Sequence, residues 1–206
     1  MRRVIIVGMA GPYEDELQPG DEIWGVNRIY KRQSNLSRLY FLDKLEDFDE
    51  EFTRDVDALG IPVYTQKVYP EIKQSISYPK EKATEISIAG YFTSTIAWVI
   101  AHAILEAVDA IHLHRILPFP LHGDYEDQKP CIEMWYGMAE GMGIKMTRSM
   151  DSSIGRPLDW QCRFYGYTDM SEFRNIKLLH QAGFKPLVKR GSISIPIHWP
   201  GMLEKS

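Results

Sequence analysis

The stretch "GYFTSTIAWVIAHAILEAVDAIHLH", residues Gly90 to His114, decides the fold class of this protein. Ten of the 15 residues from Thr93 to Ala107 are apolar, and they fall on almost every side of a helix, which predicts a helix packed between other elements rather than lying on the surface. The run from Ala110 to His114 then predicts a strand. A helix that leads directly into a strand is the repeating unit of an α/β protein.

The rest of the chain repeats this alternation. Val4 to Val7 is a continuous β-branched run that ends at Gly8, as in a strand buried on both faces of a parallel sheet. Further strands are predicted at 21–27, 38–43, 61–66 and 144–148, and further helices at 46–60, 129–143 and 170–185. The pattern predicts a single α/β domain over residues 1–206, with a Rossmann-like doubly wound, mostly parallel sheet and helices on both faces.

Two segments interrupt the alternation. Residues 67–89 contain Pro70, Pro79, several charges and little periodicity, which predicts a long irregular connection of the kind that often forms a lid or binding loop. Residues 190–206 are predicted to form a C-terminal tail that packs along the domain or onto a neighbouring molecule.

The composition limits the classes of function. The chain has 206 residues, of which 44% are hydrophobic, enough to bury one sizeable core. Its formal net charge of −4 argues against binding of duplex nucleic acid or of an anionic membrane. Exposed aromatic residues near Tyr165 and Trp199 are consistent with a homodimer.

The sequence also predicts a cytoplasmic location. Cys131 and Cys162 are far apart and form no CxxC motif, which fits free thiols in a reducing compartment. Acidic residues follow the first short apolar run at once, where a signal peptide needs a longer apolar region. No window approaches the roughly 18 to 20 apolar residues of a membrane span, so we expect no membrane insertion.

Glycines follow the first predicted strand, where a doubly wound sheet binds its ligands. The segment "GMAGP" places Gly8 and Gly11 where the backbone can approach a phosphate or a sugar without interference from a Cβ atom. Met9 and Pro12 belong to the same turn. Because the segment is not GxGxxG, it is either a ligand-binding loop or a plain tight turn.

Hydroxyl and amide side chains stand at other predicted carboxyl ends. Thr93, Ser94 and Thr95 open a helix, where unpaired backbone N–H groups and the helix dipole favour an anion. A cap needs one hydroxyl, so three predict contacts with a phosphate or a sugar. Asn27 either forms a hydrogen bond with a base edge or a ribose, or it is a turn residue that ends its strand. Asp43 occupies a similar position one strand later.

The candidates for acid–base catalysis lie at and after the end of the strand predicted at Ala110 to His114. If the next helix starts near its proline, Glu133 falls in the first turn, as a nucleophile or general base or, alternatively, as a solvent-facing carboxylate. Asp124 precedes this helix. His114 and Arg115 leave the strand as candidates for a phosphate clamp or acid–base work, and His122 is the alternative acid.

Three segments resemble a known family when taken in order. "VIIVGMAGP", "WGVNRIY" and "YFTSTIAWVIAHAILEAVDAIHLH" are similar to the motifs of the small Rossmann-like bacterial sialyltransferases and the related 6-hydroxymethylpterin diphosphokinase-like superfamily. The chain has His112-Leu113-His114 where the sialyltransferases have Gly-x-Asp. The resemblance implies a set of nucleotide contacts: Gly8, Gly11, Asn27, Thr93 and Ser94.

A mostly phage-encoded branch of that superfamily resembles a later part of the chain as well. It shares the "YFTS" helix and a stretch that corresponds to residues 124–144. This resemblance implies ligand contacts by Tyr125 and Gln128.

A second resemblance is to the nucleoside 2-deoxyribosyltransferases and related nucleotide N-glycosidases. "VGMAGPY" and "CIEMWYGMAEGMGIKM" match an Ala-Gly-Pro turn and a helix opened by a glutamate. The resemblance implies that Glu133 takes the place of the nucleophile. Both families act at an anomeric carbon, where a carboxylate stabilises an oxocarbenium-like transition state or forms a covalent intermediate.

These patterns predict an enzyme that binds a nucleotide or sugar nucleotide and transfers or hydrolyses its glycosyl group. Two alternatives stay open: a non-catalytic nucleotide-binding sensor or sponge, and a pyrophosphoryl transferase. Only the latter would need a cofactor, Mg²⁺ held by carboxylates. No protein-bound metal site is otherwise expected, because no third ligand accompanies the His112 and His114 pair.

Overall fold

The computed structural model describes residues 1–47, 49–87, 89–117, 125–150, 152–155, 187–190 and 193–196. The chain divides into two compact units, residues 1–154 and 155–206. In the second unit the described residues form an antiparallel hairpin of Leu187–Arg190 and Ile193–Pro196. The single domain stays a prediction, and the helix predicted at 170–185 lies outside the described residues.

The first unit contains a seven-stranded, fully parallel sheet, which confirms the predicted α/β fold class. In space the order is β5-β4-β3-β2-β1-β6-β7. The strands are β1 Arg3–Val7, β2 Asp21–Val26, β3 Arg38–Phe41, β4 Val63–Thr65, β5 Ser75–Ser77, β6 Ala110–His114 and β7 Lys145–Arg148.

Helices cover both faces of the sheet, and the alternating side chains of β1 fill the two cores. Val4 and Ile6 belong to one core, together with buried residues of α2 (Lys80–Glu85), α3 (Thr95–Leu105) and α4 (Tyr125–Gly141). Ile5 and Val7 belong to the other core, together with buried residues of a short 3-10 helix (Asn27–Lys31) and α1 (Glu50–Ala58). Eight of the 11 residues of α3 are buried, as its apolar sequence predicts.

Helix α4 begins five residues before Pro130, so the sequence-based start of this helix is wrong. Proline lacks an N–H group, and inside a helix it removes one backbone hydrogen bond. The carbonyl of Asp127, in the turn before it, accepts hydrogen bonds from Tyr91 (2.9 Å) and Thr93 (2.8 Å), which anchor this turn to the segment before α3. Glu133 therefore lies in the third turn of α4, outside the reach of the first-turn dipole.

The long connection at 67–89 is not irregular throughout, which corrects the sequence-based prediction. It contains the edge strand β5 and the helix α2. Three and six residues are too few for a recognisable hydrophobic period, so the pattern could not reveal them. Similarly, the predicted tail at 190–206 contains the strand Ile193–Pro196. Within the described residues no helix has the length and apolar character needed to cross a membrane.

Four charged side chains form a closed ring at the amino ends of the strands. We call Arg2, Glu22, Arg38 and Glu106 the amino-edge charge cluster. Arg2 pairs with Glu22 (2.6 Å) and with Glu106 (2.5 Å). Arg38 completes the ring with Glu106 (2.6 Å) and Glu22 (3.1 Å). The cluster ties the end of α3 to the first three strands.

A buried histidine extends this cluster into the core. His102 Nδ1 lies 2.7 Å from the Tyr40 hydroxyl, and its Nε2 lies 3.3 Å from Oε1 of Glu106. Burial lowers the pKa of His102 to about 4; Arg38 and Arg2 act in the same direction, and Glu106 opposes them. The histidine is therefore neutral in the folded protein near neutral pH.

His102 makes the stability of the fold depend on pH. An unfolded histidine has a pKa near 6.5. Between pH 6.5 and about 4 the unfolded state binds a proton that the folded state does not, so stability is lost as the pH falls through this window. The expected contribution of His102 is on the order of 2 to 3 kcal/mol. Urea unfolding at pH 7, 5.5 and 4 measures it, since the difference between the wild type and His102→Gln should shrink toward pH 4. A constant difference at all three pH values would contradict this assignment.

Candidate functional site

The strand order reverses between β1 and β6. From β1 the chain proceeds outward through β2 to β5, and then returns to place β6 on the other side of β1. At the carboxyl end, Val7 of β1 pairs with Gly25 of β2 and with His114 of β6. The crevice outside such a reversal is where doubly wound sheets bind ligands. The structure therefore brings the loop after β1 and the loop after β6 together at the expected point.

Residues 8–12, which we call the glycine loop, pack tightly against the residues after β6. Gly8 N donates a hydrogen bond to the carbonyl of His114 (3.0 Å). A Cβ atom at Gly8 would lie 2.7 Å from the carbonyl oxygen of Arg115, and one at Gly11 would overlap the Arg115 guanidinium. Both glycines are needed for this close approach, which a plain tight turn would not require.

Adding a methyl group at Gly8 should disturb the site and the fold together. In Gly8→Ala the new Cβ meets a backbone oxygen that cannot rotate away, so we expect a loss of roughly 1 to 3 kcal/mol in the free energy of unfolding. The matched control is Gly137→Ala in α4, where a Cβ meets nothing within 4 Å. Chemical denaturation of both variants checks the prediction, and equal stability would contradict it.

Two side chains, one at the end of β6 and one after the 3-10 helix, hold the glycine loop and the residue that follows it. His114 Nε2 lies 2.8 Å from the carbonyl of Pro12, and since a carbonyl only accepts, Nε2 carries the hydrogen. Gln33 is buried, and its Oε1 accepts a hydrogen bond from Tyr13 N (2.7 Å). The Tyr13 ring meets the His114 ring edge to face at 5.2 Å. His114 thus holds the loop, and an acid–base exchange with a ligand would use its Nδ1.

Two arginines lie against the glycine loop. Arg115 has a left-handed backbone (φ 49°), unusual for a side chain of this size, and its N–H donates to the Ser149 hydroxyl (2.8 Å). Its guanidinium lies beside Gly11. Arg32, just after the 3-10 helix, donates from Nη1 to the carbonyl of Met9 (3.4 Å). The sequence analysis missed Arg32, because neither its spacing nor its neighbours relate it to Met9, 23 residues earlier.

The predicted polar residues after β2 and β3 lie at the carboxyl ends of their strands. Asn27 follows β2 directly and also has a left-handed backbone (φ 49°). Its Oδ1 is buried and has no hydrogen-bond partner among the described residues. A buried carbonyl oxygen of this kind is suited to accept a hydrogen bond from an amine or hydroxyl group. Asp43 is exposed two residues beyond the end of β3.

The three hydroxyls before α3 have separate structural positions. Ser94 caps the helix by accepting a hydrogen bond from Ile96 N (3.2 Å). The Thr93 hydroxyl donates to the Asp127 carbonyl (2.8 Å). Thr95 is the first helical residue and is half-buried. Two of the three hydroxyls are therefore accounted for by contacts within the protein, and contact with a ligand stays a prediction for all three.

Helix α4 places Glu133 beside a buried cation. Lys129 is buried and forms an ion pair with Oε1 of Glu133, one turn away. Gln128 is half-buried in the preceding turn. Tyr125 is the first residue of α4, but its side chain is outside the described residues. The candidate acids His122 and Asp124 also lie outside the described residues.

A concave region lies at the carboxyl edge of the sheet, after β3 and β4. It is a cleft of about 370 Å³ whose lining includes Leu45, Glu46, Lys67, Tyr69 and Glu71. Part of the connection predicted to form a lid thus borders a cleft. For metals, no three His, Cys, Asp or Glu side chains converge anywhere in the described ranges.

Comparison with known proteins assigns neither a family nor a function to this site. No protein-family model, no curated protein and no solved structure matches the chain. The family resemblances of the sequence stay predictions, and the α/β fold with its β1/β6 reversal is the basis for any functional conclusion.

Proposed function

We propose that this protein binds a nucleotide or sugar nucleotide at the reversal between β1 and β6, and that it transfers or hydrolyses the glycosyl group of that ligand. The proposal places the ligand against the glycine loop, with Asn27 and the hydroxyls before α3 as further contacts. A homodimer and a cytoplasmic location belong to the same proposal and rest on the sequence alone.

One observation carries the binding part of the proposal. Gly8 and Gly11 leave no room for a side chain, because Arg115, in the loop after β6, packs against both glycines. Met9 and Ala10 between them are the exposed part of the loop, so backbone polar groups lie beside a guanidinium group at a strand-order reversal, and phosphorylated ligands require both of these features. The buried Oδ1 of Asn27, which has no hydrogen-bond partner among the described residues, supports a polar contact with the ligand one strand away.

The catalytic part of the proposal rests on Glu133. Its carboxylate is the candidate that the N-glycosidase resemblance selects. In α4 the Glu133 side chain is 31% exposed, so the carboxylate is open to solvent. In glycosyl chemistry such a carboxylate either attacks the anomeric carbon or stabilises the positive charge that develops there. The Nδ1 atom of His114 is the proposed partner for proton transfer.

Mass spectrometry of the reaction products tests the function. Purified protein is incubated with a panel of nucleotides, nucleosides and sugar nucleotides, with Glu133→Gln alongside. Release of a free base or sugar by the wild type alone is the expected result. Production of AMP and pyrophosphoryl products that depends on added Mg²⁺ would instead identify a pyrophosphoryl transferase and overturn the glycosyl assignment.

A second candidate function is non-catalytic nucleotide binding, as in a sensor or sponge. The ion pair between Glu133 and Lys129 favours it, because a carboxylate engaged by a buried lysine already has a structural purpose. In that case the panel returns every ligand chemically unchanged, and one of them co-purifies with both the wild type and Glu133→Gln.

A further inference from the structure

Arg32 beside the glycine loop differs in its pairing from the two basic residues just before it, Arg28 and Lys31. Near the 3-10 helix, Arg28 pairs with Asp49 (3.2 Å) and Lys31 pairs with Glu51 (2.9 Å). Arg32, which follows them, is exposed and forms no ion pair with a carboxylate in the described part of the chain. Its hydrogen bond goes to the glycine loop instead, at the carbonyl of Met9. Two of these three neighbouring cations are therefore neutralised by carboxylates, and the third, Arg32, contacts the glycine loop.

Arg115 approaches the same loop from the opposite side of β1. Its left-handed backbone is energetically unfavourable for a non-glycine residue, and such conformations concentrate at functional sites. The hydrogen bond to Ser149 holds this conformation. The absence of a side chain at Gly11 makes room for the guanidinium. The position of the Arg115 guanidinium thus depends on three features: the left-handed backbone, the hydrogen bond to Ser149 and the space left at Gly11.

We propose that Arg115 and Arg32 form a two-arginine clamp that binds a phosphate group across the glycine loop, so that the ligand is a phosphorylated nucleotide and not a nucleoside. This inference rests on the proposed binding site but not on the glycosyl reaction. Guanidinium groups suit the role because their planar N–H donors match the oxygens of a phosphate and form charge-assisted hydrogen bonds with them. The two arginines come from loops after different strands, so both are in place only in the folded sheet.

Binding of inorganic pyrophosphate, measured by isothermal titration calorimetry at low salt, tests the clamp. The wild type should bind it, and Arg115→Gln and Arg32→Gln should each weaken binding by roughly ten- to a hundredfold. Arg115→Lys keeps the charge but loses the planar fork, and it should fall between the wild type and Arg115→Gln. The matched control is Arg54→Gln, on α1 with 75% of its side chain exposed, which should bind as the wild type does.

The outcomes separate this inference from the glycosyl reaction. Arginine-dependent pyrophosphate binding supports the clamp even when no base or sugar is released in the product assay. A wild type that does not bind pyrophosphate, or variants that bind it equally well, would overturn the clamp even when nucleosides are cleaved. Thermal unfolding of each variant shows that the fold is retained, and if Arg115→Gln does not fold, the comparison of Arg32→Gln with Arg54→Gln decides.

Discussion

Glu133→Gln is expected to reduce the turnover number by roughly 10²- to 10⁴-fold, the contribution typical of a group that takes part directly in the chemistry. The substitution keeps the size and shape of the side chain but removes the charge that would stabilise an oxocarbenium-like centre. The affinity for the nucleotide should be nearly unchanged, because the proposed binding contacts lie at the glycine loop. Steady-state kinetics and a direct binding measurement on the same preparation check both expectations.

Two further variants distinguish a chemical role from a structural one. Glu140→Gln removes an exposed carboxylate two turns further along α4 and should keep full activity. Lys129→Gln breaks the same ion pair from the other side while leaving the Glu133 carboxylate in place. If Lys129→Gln retains much more activity than Glu133→Gln, the carboxylate itself is required. Equal losses in the two variants, with reduced thermal stability, would show that the pair acts only in folding.

Glu106→Gln is expected to produce the largest loss of stability, about 3 kcal/mol in the free energy of unfolding. Burial alone would raise the pKa of Glu106, but hydrogen bonds from Arg38 and Arg2 outweigh it, so the pKa is lowered and the carboxylate is charged at neutral pH. Removing one partner of a buried ion pair typically costs roughly 3 to 5 kcal/mol, and the partial exposure of this cluster favours the lower end. Urea denaturation at pH 7 gives the value directly.

The stability loss should depend on the closed ring of charges and not on a single contact. In Glu106→Gln, Arg2 and Arg38 share Glu22 as their remaining partner within the cluster. The double variant Arg2→Gln/Glu106→Gln removes the surplus positive charge, so its loss should be smaller than the sum of the two single losses. The control Glu51→Gln breaks a solvent-exposed pair with Lys31 and should lose far less stability than Glu106→Gln. Additive losses, or a Glu51→Gln effect as large as that of Glu106→Gln, would contradict the prediction.

The sequence analysis predicted the strands of the sheet better than the helix ends. Ala110–His114 is found as predicted, because an alternating apolar run between a helix and a loop has few other interpretations. Tyr125–Gly141 was misplaced at its start, because proline is common in the first turn and its neighbours gave no other sign. The turn before Pro130 is anchored by Tyr91 and Thr93, contacts with residues more than 30 positions earlier that no local pattern contains.

The candidate site was predictable only in part. Gly8, Gly11 and Arg115 follow strands that the sequence identifies, so their position at one edge of the sheet follows from parallel pairing. Arg32 was not predicted, since its contact with Met9 depends on how the segment after β2 folds back onto the loop after β1. The amino-edge charge cluster was likewise not predicted, because its four members are distant in sequence and each alone is an ordinary surface charge.

The sequence by itself determined the α/β class, the positions of the central strands along the chain and the presence of glycines after β1, because these depend on local hydrophobic period and on turn chemistry. The tertiary structure decided which polar side chains meet: Arg32 and Arg115 at the glycine loop, and His102 with Tyr40 and Glu106. Side-chain contacts between distant segments follow from strand order and helix packing. The hydrophobic periodicity of the chain carries no information about these long-range contacts.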